Sequence, residues 1–251
     1  MAVVVIPSLL LPSASQGAVE FSLIIGGIIA MFTLFEYGTQ SPGFIDFRFA
    51  PPYNRFRAFT IAIQIIVITL VCRAVELGLN NATVLDWAQN LAVVLDFKYS
   101  PVASAINLIL EGAGFSDTSA VLLVYTTSIS FTVGLGLTLL FSALLWVFKW
   151  PLDRENFNLW VNMPMFQPSE GASVAKRLKR DAVINLIMGI VLIYALPYIL
   201  VYGFDWLSPD IFESNQVMIW VTALWVFVPS TLLARAAAML KIARILSHVQ
   251  N

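Results

Sequence analysis

Apolar positions in this chain come in long runs separated by short polar stretches, and five of the runs are long enough to cross a bilayer. They cover about residues 18–35, 58–79, 119–148, 182–202 and 217–233. A spanning helix needs roughly 20 consecutive apolar residues. Within lipid, segments this apolar satisfy their backbone only as helices. The pattern therefore predicts an all-α polytopic integral membrane protein, a single helical membrane domain over residues 1–251, with an amphipathic tail at 234–251.

Two shorter apolar pieces, Val84 to Leu95 and Val102 to Leu110, lie between the second and third spans, separated by Asp96, Lys98 and Pro101. Pieces of 10 to 14 residues are more often interfacial or re-entrant than spanning. The first sets Leu85, Ala88, Leu91, Val94 and Leu95 on one side and Asp86, Gln89 and Asn90 elsewhere, a helical period suited to the membrane surface. If both pieces crossed, the two crossings would cancel and the topology downstream would be unchanged. Residues 1–16 are apolar but broken by Pro7 and Pro12, which reads as a surface or interfacial lead-in. A sixth crossing there stays open, because no charged side chain precedes Glu20.

Charge then orients the spans. Of the 14 Lys and Arg residues, Arg48, Arg55, Arg57, Lys149, Arg154, Lys176, Arg177, Lys179, Arg180, Arg235, Lys241 and Arg244 fall on one side of the five crossings. Only Lys98 falls on the other, and Arg73 lies in a span. The positive-inside rule makes the basic side cytoplasmic, with the N-terminus out and the C-terminus in. This predicts an inner or plasma membrane, with an organelle membrane as the alternative.

Composition narrows the chemistry. Hydrophobic residues make up 59% and charged residues 12%, against about 45–50% and about 25% in soluble domains, so the spans and modest loops use up the chain. With a net charge of -1 and the cations sorted to one side, nucleic-acid binding is not expected. One cysteine, Cys72, and one histidine, His248, exclude an intramolecular disulfide, a bis-histidine haem and a Ser-His-Asp triad built from this chain alone. Asp86, Asp96, Glu111 and Asp117 are spread along an outer region without the spacing of a calcium loop. No catalytic, cofactor-binding or metal-ligating residue is assigned.

Other residues stand out for packing or contact. Arg73 and Glu76, three apart near the end of the second span, lie on one helical face. They are an intramembrane ion-pair candidate or, if the helix ends there, two side chains snorkelling to the outer interface. Ser22, Gly26 and Ala30 form a small-residue stripe on the first span, and Ser128, Thr132 and Gly136 form another on the third, with Ser130, Gly134 and Thr138 on a neighbouring face. Small residues let helices approach closely. Trp160, Phe166, Lys176, Arg177, Lys179 and Arg180, in the most basic loop, are candidates for contact with a partner or with anionic lipid on the cytoplasmic side. Asn81-Ala82-Thr83 matches a glycosylation sequon.

The expectation is a non-catalytic accessory, structural or assembly subunit of a larger membrane complex, with other membrane subunits as partners. An alternative is a small transporter or channel component in which Arg73, Glu76 and the third-span hydroxyls line a polar path, although no internal repeat of the transporter kind is visible. A weaker one is an enzyme acting on a lipid-linked substrate through Asp153, Arg154 and Glu155. Adjacent residues on a helix point apart, and no partner base is evident.

Overall fold

The computed structural model describes residues 2–39, 45–79, 82–112, 116–148, 150–151, 159–163, 173–203 and 214–249, with backbone alone at 160–161 and 248–249. All regular structure among them is helical: α1 (Ala2–Leu10), α2 (Gln16–Gly38), α3 (Tyr53–Glu76), α4 (Thr83–Leu95), α5 (Pro101–Gly112), α6 (Asp117–Val147), α7 (Leu159–Asn162), α8 (Val174–Gly203) and α9 (Asn215–Val249). Helices α2, α3, α6, α8 and α9 are long and apolar enough to cross a membrane, one for each expected span.

Local chemistry sets the ends of these helices. Ser15 Oγ accepts from Ala18 N at 3.2 Å and Ser116 Oγ from Ser119 N at 3.2 Å, so serine caps start α2 and α6. Helix α3 stops three residues short of the expected Leu79 because Gly78 adopts φ 64°. Its N–H bonds to Val75 O, and Leu79 N–H bonds to Ala74 O, the paired closure of a helix ended by a left-handed residue. Helix α8 starts eight residues before the expected position. Ala175, Leu178 and Ala182 continue a buried stripe while Lys176, Lys179 and Arg180 stay exposed, so the basic run belongs to a helix and not to a loop.

Helices α3, α6 and α9 pack together as the centre, α8 lies along α9, and α2 meets the rest chiefly through α1. At one end Phe47, Ala50, Tyr53, Phe141, Leu145, Trp150, Met163, Leu178 and Met239 form a core, here the basic end. Toward the other end Leu11, Ile68, Cys72, Ala88, Leu122 and Met218 form a second. The N-terminal lead-in is α1, whose Val5, Ser8 and neighbouring Leu11 are buried, so it docks on the bundle and does not lie loose at an interface.

Helices α4 and α5 form a re-entrant hairpin. At 1.5 Å per residue α4, with 13 residues, reaches only about 20 Å, too short for a hydrocarbon core of about 30 Å. Its end and the start of α5 nonetheless pack against mid-span residues: Leu95, Val102, Ala105 and Ile106 cluster with Phe131, Leu135, Leu196 and Trp225. Tyr194 Oη donates to Tyr99 O at 3.1 Å, and Tyr194 lies nine residues before the end of α8, roughly 14 Å along its axis. The turn joining α4 and α5 thus sits level with the middle of the apolar stretches of α6, α8 and α9. A surface-lying helix was the simpler expectation from the period of 84–95. The buried Ala88 against α3 and α6, and the deep contacts of the turn, make it a wedge instead.

Candidate functional site

The polar groups of a bundle in lipid are where function concentrates, because each costs free energy unless partnered or wet. Among the described residues, four places gather several of them.

The first is the turn of the hairpin, residues 96–100. Ser100 is buried and caps α5, its Oγ accepting from Val102 N at 3.2 Å and Ala103 N at 3.3 Å. The four residues before it point out of the bundle: Asp96 and Lys98 are exposed, as are Phe97 at 54% and Tyr99 at 75%. Lys98 Nζ lies 5.1 Å from the Tyr99 ring centroid. Among the described residues neither Asp96 nor Lys98 has an ion-pair partner. Behind the turn a hollow of about 290 Å³ between α4 and α5 is lined by Asp96 and Asn107 among apolar side chains.

The second is a knot at the crossing of α3, α6 and α9. Gln64, fully buried, donates through Nε2 to Ser130 Oγ at 2.5 Å and Ala223 O at 3.2 Å, and Ser130 Oγ donates to Thr222 O at 2.6 Å. Gly134 lies directly against it. Among the described residues, Gln64 Oε1 and Thr127 Oγ1 are buried with no hydrogen-bond partner. The packing face of α6 is therefore Ser130, Gly134 and Thr138. Of the stripe Ser128, Thr132 and Gly136, only Ser128 is buried. Ser128 and Thr132 bond back to Val124 O and Ser128 O at 2.8 and 2.9 Å, and Gly136 is exposed with nothing near its missing Cβ. On α2, Ser22 and Gly26 are buried and Ala30 is half-buried. Ser22 Oγ shares a bond with Ser8 Oγ at 2.6 Å, and Gln216 Nε2 donates to both, so this stripe serves contact with α1 and the start of α9.

The third is the outer end of α3. Arg73 and Glu76 form no ion pair with one another. Arg73 donates to Leu10 O at 3.2 Å, the carbonyl that ends α1. The Glu76 carboxylate accepts from Ser13 N at 3.2 Å, Ser13 Oγ at 2.7 Å and Asn215 Nδ2. Together they fasten α1 and the start of α9 to α3. Glu76→Ala removes three acceptor contacts, each worth about 1 kcal/mol or somewhat more to a charged group, and is expected to release α1. Cys72 is fully buried in the cluster that includes Leu11. Its alkylation by a maleimide in intact membranes should then rise about tenfold, as a loss near 1.4 kcal/mol implies. Labelling at the wild-type rate would show that α1 does not depend on this carboxylate.

The fourth is the basic end. Arg48 closes α2 by donating to Glu36 O, Tyr37 O and Thr39 O at 2.5, 2.6 and 2.8 Å, a cation on carbonyls at the negative end of the helix dipole. Phe47 N and Phe49 N bond to Asn162 O and Oδ1 at 2.6 and 3.1 Å, which pins residues 45–52 under the bundle. Asp46 Oδ2 lies 2.9 Å from Arg235 Nε on α9, a charge contact whose N–H is not aligned on the oxygen. Burial holds the Asp46 carboxyl above its usual range, against the opposing pull of Arg235 and then Arg57. Nearby, Lys176, Lys179 and Arg244 border a hollow of about 600 Å³ beside Trp146. Lys241 Nζ donates to Trp146 O at 3.2 Å, and Arg180 pairs with Asp181 at 2.9 Å. Phe166, Asp153, Arg154, Glu155 and Asn81 lie outside the described residues, as does the side chain of Trp160.

Gln64, Asp46 and the depth of residues 96–99 escape a reading of the sequence by charge and period alone. Gln64 left one trace, as the single carboxamide in a span otherwise rich in Ile, Val and Leu. Among the described residues no group of three His, Cys, Asp or Glu side chains is placed to hold a metal ion. Comparison with protein-family models, curated proteins and solved structures returns no match for this chain.

Proposed function

We propose that this chain is a non-catalytic structural or assembly subunit of a larger membrane complex, in an inner or plasma membrane with its basic end toward the cytoplasm. The observation that carries the reading is the α4–α5 turn. An acid, a base and an irregular backbone stand at half-depth on the outside of the bundle, and such groups are tolerated at membrane depth only against protein or water. A neighbouring subunit supplies that cover. The first span supports the same reading, since α2 touches little besides α1 and is exposed along most of its length. The hollow beside Trp146 suits the phosphate of an anionic lipid, through cations that converge from α8 and α9.

The second reading, a channel or transporter component, is favoured by the hollow between Asp96 and Asn107. In it the cover of the turn would be water. Arg73 and Glu76 do not contribute to that path, being engaged with α1 and α9.

Purification from the fractionated membrane in a gentle detergent, with mass spectrometry of proteins and lipids in one size-exclusion peak, separates the two. Other membrane polypeptides at fixed stoichiometry, with anionic phospholipid enriched over the bulk membrane, are the expected result. A chain that elutes alone, and that conducts ions or solute in liposomes, overturns the subunit reading in favour of the second.

A further inference from the structure

The turn between α4 and α5 carries its own opposite: Asp96 and Lys98 are two residues apart, both exposed, and neither is ion-paired within the described chain. Their charges cancel, so the turn as a whole does not call for a partner of one sign. It calls for a base opposite Asp96 and an acid opposite Lys98 at the same depth in the membrane. A second copy related by a two-fold axis along the membrane normal meets both requirements at once, because Asp96 and Lys98 share one short turn and that operation preserves depth and exchanges i with j across the interface. Any other partner would need its own acid and base at that level.

We propose that two copies of this chain pair through their α4–α5 turns, with Asp96 of each meeting Lys98 of the other. The inference rests on the subunit reading and names one of the partners. The intervening residue, Phe97, then faces its symmetry mate across the axis, and its exposed ring gives the pair an apolar centre flanked by two ion pairs. Tyr194 Oη holds the turn from behind through Tyr99 O at 3.1 Å, and the Ser100 cap fixes the start of α5. The two charges are thus presented on a backbone anchored to α8. Away from water the attraction within such pairs is stronger than at a surface, leaving either buried charge without its partner is costly, and like charges placed opposite one another are strongly disfavoured.

The test is disulfide trapping in native membranes. In a Cys72→Ser background, Phe97→Cys should cross-link under mild oxidation to a dimer of the chain, whereas Ile28→Cys on the exposed face of α2 should not. Adding Asp96→Lys or Lys98→Asp to Phe97→Cys should lower the cross-linked fraction about tenfold by setting like charges together. The swap Asp96→Lys with Lys98→Asp should restore it to within about twofold on the same grounds. Lys98→Arg keeps the sign and should cross-link as Phe97→Cys alone does, which guards against a reversal that merely impairs folding. Single reversals without effect, or a swap that stays as weak as they are in protein of normal abundance, overturn the pairing. If Phe97→Cys instead captures a different membrane polypeptide, the pairing falls and the subunit reading stands. If it captures nothing and the chain purifies alone, both fall.

Discussion

Gly134→Leu is expected to cost the bundle about 3 kcal/mol, at the upper end of overpacking penalties, and with it most of the folded protein recovered from membranes. Gly136→Leu, two residues along the same helix, should leave yield and melting temperature within error of wild type. At Gly134 even a Cβ atom would stand 2.8 Å from Val226 Cγ1 and 3.1 Å from Gln64 Nε2, closer than side chains tolerate. The neighbours have little room to give. Val226 is branched at Cβ and stiff about χ1, and Gln64 is held by Ser130 on α6 and Ala223 on α9. A leucine therefore separates α6 from α9 and breaks the knot that ties both to α3. At Gly136 a Cβ meets nothing within 4 Å, and leucine adds one more apolar group to an apolar surface. Scanning fluorimetry in detergent, at a fixed heating rate because unfolding is irreversible in many such proteins, reads the difference. Equal melting temperatures for the two variants would mean that α6 does not meet its neighbours on the Gly134 face.

That contrast marks how far the sequence could be read. The five spans, their order and the sorting of cations to one end follow from runs of apolar residues and from charge, and the helices found match them. Rotation of a span about its axis is a different matter. The third span has small and hydroxyl residues almost all round, so its composition cannot choose between Ser128, Thr132, Gly136 and Ser130, Gly134, Thr138. What chooses is Gln64, sixty-six residues away in sequence from Ser130. The same holds for Arg73 and Glu76. Their spacing allows a pair on one helical face, but Leu10 O, Ser13 and Asn215 reach them from elsewhere in the chain and win, since the ends of α1 and α9 bring unpaired backbone and amide groups to the same place.

The hairpin was only half legible. Its two lengths favour an interfacial or re-entrant piece over a spanning one, yet nothing local distinguishes an amphipathic helix on the membrane surface from one wedged against α3 and α6. The pattern on α4 fits both, since a protein groove and the lipid interface each ask for one apolar face. Depth is decided by partners: Trp225 and Leu196 at mid-span, and the Tyr194 hydroxyl. The consequence is that Lys98, which by charge sorting is simply the one cation on the outer side, stands on a turn level with the middle of the apolar helices.

At the basic end the expected result is a destabilisation that depends on pH. Arg235→Met should lower stability by about 2 kcal/mol at neutral pH. That is less than the 3–5 kcal/mol for breaking a fully buried pair, because the Arg235 side chain is 33% exposed and part of its contribution is screened. The sign follows from Asp46. Its folded-state carboxyl titrates above the ordinary value of 3.8 because burial outweighs the pull of Arg235 and Arg57. A carboxyl raised in this way favours the fold most when protonated, so its contribution is full below the unfolded value and declines as pH rises through the folded one. Removing Arg235 takes away the larger of the two opposing pulls and pushes the folded value higher still. Wherever Asp46 is ionised, the variant holds that charge with one oxygen buried and, among the described residues, without a hydrogen-bond partner, and with the weaker pull of Arg57 in place of two opposing cations. As the pH falls the carboxyl takes up its proton, and the deficit of Arg235→Met against wild type should shrink. Asp46→Asn in the same background should abolish the pH dependence and recover most of the loss at neutral pH, since an amide needs no counter-charge. A deficit that stays constant from pH 4.5 to 7.5 would mean that Arg235 supports the basic end by packing alone and that its charge is incidental.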